Sequence, residues 1–518
     1  MYSEFSIEPL PKSTLIATYR QLLGQNVLTE NKALEHLLVK RAVRTLSGVT
    51  VITVLTKPFI CPGKCVYCPT EPNMPKSYLS NEPAAQRAVR NTFDAINQVQ
   101  GRIRALENNG HEVDKLELIV LGGTWSAYTK DYQEKFIRDL FYATNVYKAG
   151  SGIGVRNQEK STADSAPDPD PQPLTLSEEQ TINETARYRI IGLTLETRPD
   201  HIDEDEVKRL RYLGCTRVQL GVQHTDDKIL ELIRRGDTLA NAIKATRLLK
   251  EAGFKVDHHY MPDLPGSTPE HDLEMFKYVY SSEDLQPDQV KIYPCVVNEY
   301  AQLWHWFKNG KYKPYAEKEL YDLLMDIKRI TPPYVRINRL IRDIPEESII
   351  AGNSITNLRQ YLQKQLAEQG EFCRCIRCRE PRADSKDVLT AELKHRTYRA
   401  SQGTEHFVSF ETPDEKTIYG FLRLRFNDAP EADLLPELKG ASLVRELHVY
   451  GQMTIVARDD SPVQHMGFGK KLMAEAERLS IEAGYKKIAV ISGIGVREYY
   501  KKLGYRLEGT YMVKELKS

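Results

Sequence analysis

The sequence predicts an α/β multidomain protein: a partial (β/α)6, TIM-like barrel followed by a separate α+β domain. Three observations predict it. Six short β-branched runs alternate with helix-like stretches between residues 49 and 294. The residue types that carry chemistry cluster directly after those runs, which would be the C-terminal ends of barrel strands. Near residue 386 the alternation gives way to strand following strand.

Residues 1–45 read as a helical N-terminal segment with Lys40, Arg41 and Arg44 late in it. From charge alone the plain reading of these cations is a solvated helix face. The runs VTVITVLT (49–56), LELIVLGG (116–123), RIIGLTLE (189–196), RVQLGV (217–222), KVDHHYM (255–261) and QVKIYP (289–294) are the six strands. Helix-like segments such as NAIKATRLLKEAG lie between them. That repetition implies a parallel sheet with right-handed crossovers, and assigns 46–300 to the barrel. STADSAPDPDPQPLTLSEE (161–179) interrupts it and is too rich in Pro, Ser and Asp to bury a core. Residues 301–385 read as a linker containing KRITPPYVRINRLIR (328–342) and a cysteine cluster. In 386–518 the order is three strands, helix, strand, helix and strand, the α+β domain.

The 518 residues are 41% apolar and 28% charged, as in a globular protein. A net charge of +1 excludes a globally basic nucleic-acid binder, so any such surface must be a local patch. No apolar run approaches the roughly 18 residues of a membrane span. With no secretory pattern at the start, a cytoplasmic protein with no membrane partner is expected, in which structural disulfides are not. Yet six of eight cysteines fall in two tight groups. Clustered thiols in a reducing compartment hold metal.

CPGKCVYCP places Cys61, Cys65 and Cys68 after the first strand. A structural zinc ion wants four ligands. A 4Fe–4S cluster held by three thiolates leaves one iron open to a non-protein ligand. C-x3-C-x2-C with Tyr67 before the last cysteine resembles the radical-SAM signature. The resemblance implies a 4Fe–4S cluster, S-adenosylmethionine on its open iron, and binding of that molecule by Gly122, Gly123 and Thr124, with Glu196, Arg198 and Gln223 at the ends of later strands. A zinc loop with a distant fourth ligand is the alternative. The second group, Cys373, Cys375 and Cys378 in CRCIRC, is expected to hold zinc with Cys295 as fourth ligand, against a metal-free basic loop. Cys215 reads as a small buried residue.

Gln464, Gly467, Phe468, Gly469 and Lys470 form Q-x-x-G-x-G-K opening a helix, where glycines let backbone N–H groups close on an anion. With VREYYKKLGY downstream, the order resembles the GNAT acetyltransferases. It implies acetyl-CoA with its pyrophosphate on that loop, its pantetheine arm along Glu446, Leu447, His448 and Val449, and Tyr499 or Tyr500 facing the thioester.

Both chemistries on one chain, with ETRPD, RVQLGVQ, CRCIRCRE and ELHVYG in order, resemble the family of the Elongator catalytic subunit, in its free-standing prokaryotic form. The resemblance runs from about residue 46 to the end and implies a tRNA uridine(34) 5-carboxymethyltransferase. In that family radical chemistry joins the methyl carbon of acetyl-CoA to C5 of the wobble uridine. It further implies an electron donor, the tRNA anticodon stem-loop as partner, and contact of Lys130 with acetyl-CoA; a homodimer is compatible with it. Glu446, a water or His448 would serve as base in thioester hydrolysis. Lys328, Arg329, Arg336, Arg339 and Arg342, with the three N-terminal cations, would then contact tRNA phosphates. The rival activity is a lysine acetyltransferase of histone or other protein, with a structural Fe–S cluster.

Overall fold

The computed structural model describes residues 10–39, 48–148, 172–355, 357–381, 386–428, 434–450 and 467–517. Lys40, Arg41, Arg44 and Gln464, together with 161–171 of the Pro/Ser/Asp-rich stretch, lie outside the described residues. The end of that stretch is ordered into a helix, Leu176–Asn183, by a capping box between Thr175 and Glu178.

Strands β1 (Thr50–Leu55), β2 (Lys115–Leu121), β3 (Arg189–Thr197), β4 (Arg217–Gln223), β5 (Lys255–Tyr260), β6 (Gln289–Ile292) and β7 (Arg336–Arg339) form one sheet in sequential order. Every neighbouring pair is parallel, and β1 and β7 are the two edges, so the barrel does not close. Helices cover the outer face, and Asp94, Asp203, Thr238 and Thr268 cap four of them through their side chains. The sheet thus has one strand more than the six read from the sequence. β7 lies inside the segment taken as a linker, and its RINR carries polar side chains at alternate positions because one face lines a cavity.

The second sheet runs β13 (Arg506–Glu508), β14 (Tyr511–Glu515), β12 (Lys487–Val490), β11 (Ala441–Val449), β10 (Ile418–Asn427), β9 (Gly403–Glu411) and β8 (Glu392–Arg399). Its β11–β12 pair is parallel, and the other pairs are antiparallel. β11 pairs with β12 only through Val444 and Val490, then continues along β10 alone. Among the described residues, that parting leaves the second half of β11 without a strand on one side. A bulge opposite Arg423 and Leu424 leaves Arg445 out of the ladder.

The second sheet docks on the N-terminal ends of the barrel strands. Arg445, fully buried, donates to Phe254 O at 2.7 Å just before β5, and to both oxygens of Asp288 just before β6, at 2.9 and 2.5 Å. Arg211 donates to Thr510 O at 2.6 Å, and Tyr511 Oη to Ala252 O at 2.6 Å. At the start of β3 the approach is backbone to backbone: a Cβ on Gly493 would lie 2.0 Å from Ile191 O. A Gly493→Ala variant is therefore expected to lose roughly 1–3 kcal/mol through overpacking. Urea melts check it; unchanged stability would mean that the docking surface yields. Among the described residues no helix is long and apolar enough to cross a membrane.

Candidate active site

One cavity of about 1230 Å³ runs between the two sheets and up the inside of the half-barrel. At its upper end Cys61, Cys65 and Cys68 line it, on the loop that follows β1. Arg235 Nη1 faces Cys65 Sγ at 3.8 Å, and Thr124 Oγ1 lies 3.6 Å from Cys61 Sγ. Arg198 braces the same loop: it pairs with Asp200 at 2.7 Å and donates to the Arg235 and Gly236 carbonyls. A Cβ on Gly63 would sit 2.6 Å from Arg198 Nη1 and 3.6 Å from the sulfurs of both Cys61 and Cys65, so a larger residue there would have to push the Arg198 guanidinium aside. Burial and the neighbouring Cys65 push the Cys68 thiol up to about 12. These thiols are electrostatically linked, and their sulfurs do not all lie within 4.8 Å of one another. A cluster in which each thiolate takes a different iron does not require that they do.

Gly123 and Thr124 line the cavity beside this loop. Gly122 adopts φ +145°, and a Cβ there would fall 1.8 Å from Thr56 Oγ1. Glu196 accepts from Tyr78 Oη at 2.6 Å and faces His259 Nδ1 at 3.5 Å. Burial holds His259 well below the ordinary histidine range, and its Nε2 is buried without a partner. Gln223, at φ +76°, completes the rim. Gly63, Tyr78, Arg235 and His259 were not singled out by sequence reasoning. The available signals were the glycine between two cysteines and the histidine on β5, whereas Tyr78 and Arg235 lie away from strand ends and carried none.

At the lower end the cavity meets Glu446, Leu447 and His448 of β11 and both Tyr499 and Tyr500. Burial alone would raise the Glu446 carboxyl, but Lys255 at 3.6 Å and Arg423 at 2.9 Å outweigh it and hold it at about 2. Burial lowers His448 to about 4 against the pull of Glu446, so it is neutral at neutral pH, and its Nε2 is buried without a partner. Gly467, at φ +64°, precedes the helix Phe468–Glu482. A Cβ on Gly469 would lie 2.9 Å from Tyr499 Oη, which places that hydroxyl by the helix start. Tyr500 packs into the core of the second sheet.

Several expected residues sit elsewhere. Lys130 is the exposed first residue of the helix Lys130–Val146 and is not part of the cavity wall. Val449 and the Phe468 ring face the core of the second sheet, where Phe468 stacks on Phe410, and Lys470 is exposed. The cations of 328–342 do not form one surface. Lys328 is fully buried, with Nζ 3.6 Å from Cys378 Sγ. Arg329 is paired with Asp326 and Glu371. Arg336, Arg339 and Arg342 line the cavity. A charge run reads as a surface only when its backbone is a surface helix; here it passes through β7.

The sulfurs of Cys373, Cys375 and Cys378 all lie within 4.8 Å of one another. Tetrahedral zinc with bonds of about 2.3 Å wants thiolates about 3.8 Å apart, so this set fits a single ion. Cys295 is not its fourth member. It packs in a different apolar cluster with Val66, Leu264 and Tyr312, and burial there pushes its thiol up. Among the described residues no fourth His, Cys, Asp or Glu joins the set. Lys328, Gln363 and Arg359 donate toward Cys378 at 3.6, 3.2 and 4.0 Å and offset its negative charge.

Two family models match the chain: the Radical SAM superfamily over 57–279 and the Radical_SAM C-terminal domain over 287–368. A "tRNA uridine(34) acetyltransferase" of Methanocaldococcus infernus is 43% identical over 503 residues, covering 94% of this chain and 89% of that protein. A protein of the same name from Dehalococcoides mccartyi is 43% identical, covering 92% of this chain and all of its own length, 100%. "Elongator complex protein 3" of Homo sapiens is 38% identical, over 94% of this chain and 87% of its own. The solved archaeal Methanocaldococcus infernus Elp3 with an N-terminal deletion (1-46) superposes with a TM-score of 0.75 at 40% identity, covering 91% of this chain and 100% of that one.

Proposed function

The chain belongs to the radical SAM family that holds the tRNA uridine(34) acetyltransferases and Elongator complex protein 3, and on that premise we propose that it is an acyltransferase that carboxymethylates C5 of the wobble uridine of tRNA, drawing the new carbons from acetyl-CoA. The observation that carries the reading is the cavity walled by the cysteine loop at one end and by Glu446, Leu447 and His448 of β11 with Tyr499 and Tyr500 at the other. Bonding at the methyl carbon of a thioester needs both in one space, because that carbon is not activated for ordinary acyl transfer.

Cys61, Cys65 and Cys68 would hold a 4Fe–4S cluster, which with bound S-adenosylmethionine supplies one-electron cleavage and a carbon radical able to take hydrogen from an unactivated methyl. Arg235 and Arg198 place positive charge beside the thiolates and fix the loop. Gly122 and Gly123 keep the strand end free of side chains, so a ligand's amino group can approach the backbone, and Glu196, Thr124 and Gln223 offer polar contacts at the same rim. The helix start at Gly467–Lys470 and the unpaired half of β11 receive coenzyme A, the pyrophosphate on backbone N–H groups and the arm along the strand. Tyr499, by the helix start, is placed nearer the thioester than the core-packed Tyr500. Glu446 is committed to Lys255 and Arg423 and makes a poor proton acceptor. His448, neutral and with Nε2 uncommitted, is the group able to take a proton or hydrogen bond from an attacking water. Arg339 and Arg342, with Lys76, line the cavity at its upper rim and can hold a backbone phosphate while the uridine is turned in. The second cysteine set holds zinc as a structural ion.

Nucleoside mass spectrometry of tRNA after reaction with methyl-labelled acetyl-CoA, S-adenosylmethionine and reductant tests the reading. The expected product is labelled 5-carboxymethyluridine at position 34. Label on protein lysines and none on tRNA would establish the acetyltransferase instead. For the zinc site, Cys375→Ser is expected to drop bound zinc from about one ion per chain to background and to lower thermal stability, with iron content unchanged.

A further inference from the structure

Resting on this reading of the cavity, we propose that the acyl-bearing arm of coenzyme A reaches the cysteine loop by running through the lumen of the half-barrel, entering at its N-terminal face.

The two chemical ends lie on opposite faces. The cysteine loop, Glu196 and Gln223 are at the C-terminal ends of the barrel strands. Glu446, Leu447 and His448 of β11 and Tyr499 adjoin the N-terminal ends, where Arg217, Lys255, Gln289 and Arg336 line the same cavity. From Ile191 to Thr197 along β3 is six steps, about 20 Å at 3.3 Å each. A thioester resting on β11 is therefore far from any group at the cysteine loop. Either the second sheet moves or the arm extends. Movement is opposed by the buried Asp288, held by Arg445, Arg423 and Lys250 at the seam between the sheets.

The lumen is built for an occupant. Barrels of this class fill their interior with layers of Val, Ile and Leu. Here the β4–β7 wall is polar and cross-linked: Lys291 donates to Gln219 at 2.7 Å, and Asn338 to Gln289 at 2.7 Å. The opposite wall is mostly small or apolar, with Val51, Thr53, Ile119 and Gly192, and the carboxylate of Glu117 on it is taken up by Arg217 at 2.5 Å. One wall rich in donors and acceptors, facing one poor in them, suits an arm of alternating amides and methylenes. Near the two ends stand His448 and His259, each with a buried Nε2 that has no partner among the described residues. Unsatisfied buried nitrogens lining a continuous cavity point to a polar ligand along it.

Gly192 is the place to test this. A Cβ there meets Glu117 Cγ at 3.5 Å and Thr216 Oγ1 at 3.8 Å, ordinary contacts, so Gly192→Ala fits. Gly192→Phe would fill the lumen, and Val51→Trp, at a site 45% exposed, is a second plug should the first not fold. The probe is coenzyme A acylated with a diazirine-bearing acid, cross-linked to the full chain and mapped by peptide mass spectrometry. Cross-links are expected at 219–223 and 289–293, retained in Gly192→Ala and reduced at least about tenfold in the plugged variants, the change expected from roughly 1.4 kcal/mol of steric cost. Cross-links confined to 446–450 and 491–500, or lumen cross-links that survive both plugs, would overturn the proposal. Lumen cross-links without transfer of acetyl label to tRNA by the unsubstituted protein would sink the functional reading and leave this one standing. Transfer with cross-links only at the lower mouth would do the reverse.

Discussion

A Cys65→Ser protein is expected to contain no iron, to release no 5′-deoxyadenosine from S-adenosylmethionine, and to bind tRNA as the parent does. The loss should be complete rather than partial. Cys65 is buried, lies between Cys61 and Cys68 in the loop, and faces Arg235, whose charge is placed to offset a thiolate. A serine hydroxyl is a hard, largely protonated oxygen that neither replaces a soft sulfur donor nor balances the arginine. The tRNA contacts proposed here sit on Arg339, Arg342 and Lys76, so they should survive. Iron analysis, chromatography of the nucleoside product and a gel-shift titration measure the three quantities. Equal loss of iron in Cys375→Ser would break the division between an iron site in the barrel mouth and an ion site beside β7.

The second large effect is expected at Asp288→Asn. Asp288 is fully buried where the two sheets meet, and burial alone would raise its carboxyl. Arg445, Lys250 and Arg423 instead hold it far below the usual carboxylate range. Removing the charge leaves three buried cations facing an amide, with Glu405, near Lys250, Arg425 and Arg445, and Glu446, on Arg423, as remaining acids of the network. Breaking a buried ionic network from one side costs roughly 3–5 kcal/mol. Because the carboxylates of Asp288 and Glu405 are both depressed in the folded state, their contribution is full above the unfolded carboxylate range and is lost as pH falls through and below about 4. Urea melts at neutral pH and at pH 3 should therefore separate the parent from Asp288→Asn widely at the first and by roughly 1 kcal/mol less at the second, the rest being lost only nearer the far lower folded value. An equal gap at both would mean that the loss is one of packing, not charge.

Much of this was legible in the sequence because the barrel strands are short β-branched runs and the chemistry follows them directly. The cysteine loop, Gly122, Gly123, Glu196 and Gln223 fall where the pattern said. What failed has physical reasons. β7 is four residues long and its Arg336 and Asn338 face a polar lumen, so it lacked the apolar signature of its neighbours. β8, ELKHRTYR, is a polar edge strand without an apolar face and is missing from the strands read in the second domain. Lys328 lies in a basic run, yet its place on the inner side of a helix buries it against Cys378. Cys295 was paired with the second cysteine set by nearness in sequence, whereas the end of β6 carries it into a separate cluster. Lys130 was carried over from a short local match and points to solvent. The docking face is read only in three dimensions: Gly493 gives no sign in a linear chain that a carbonyl waits 2.0 Å from its missing Cβ.

The unpaired edges of the barrel sheet bear on turnover. A closed ring would have to be threaded and unthreaded like a needle at every catalytic cycle, and a long ligand capped by a bulky nucleotide would leave slowly. Among the described residues β1 and β7 do not pair, and Arg342–Ser77 and Asn81–Ser348 bridge the gap above them, so an arm lying in the lumen as proposed would be shed sideways below those bridges without either sheet letting go of the other.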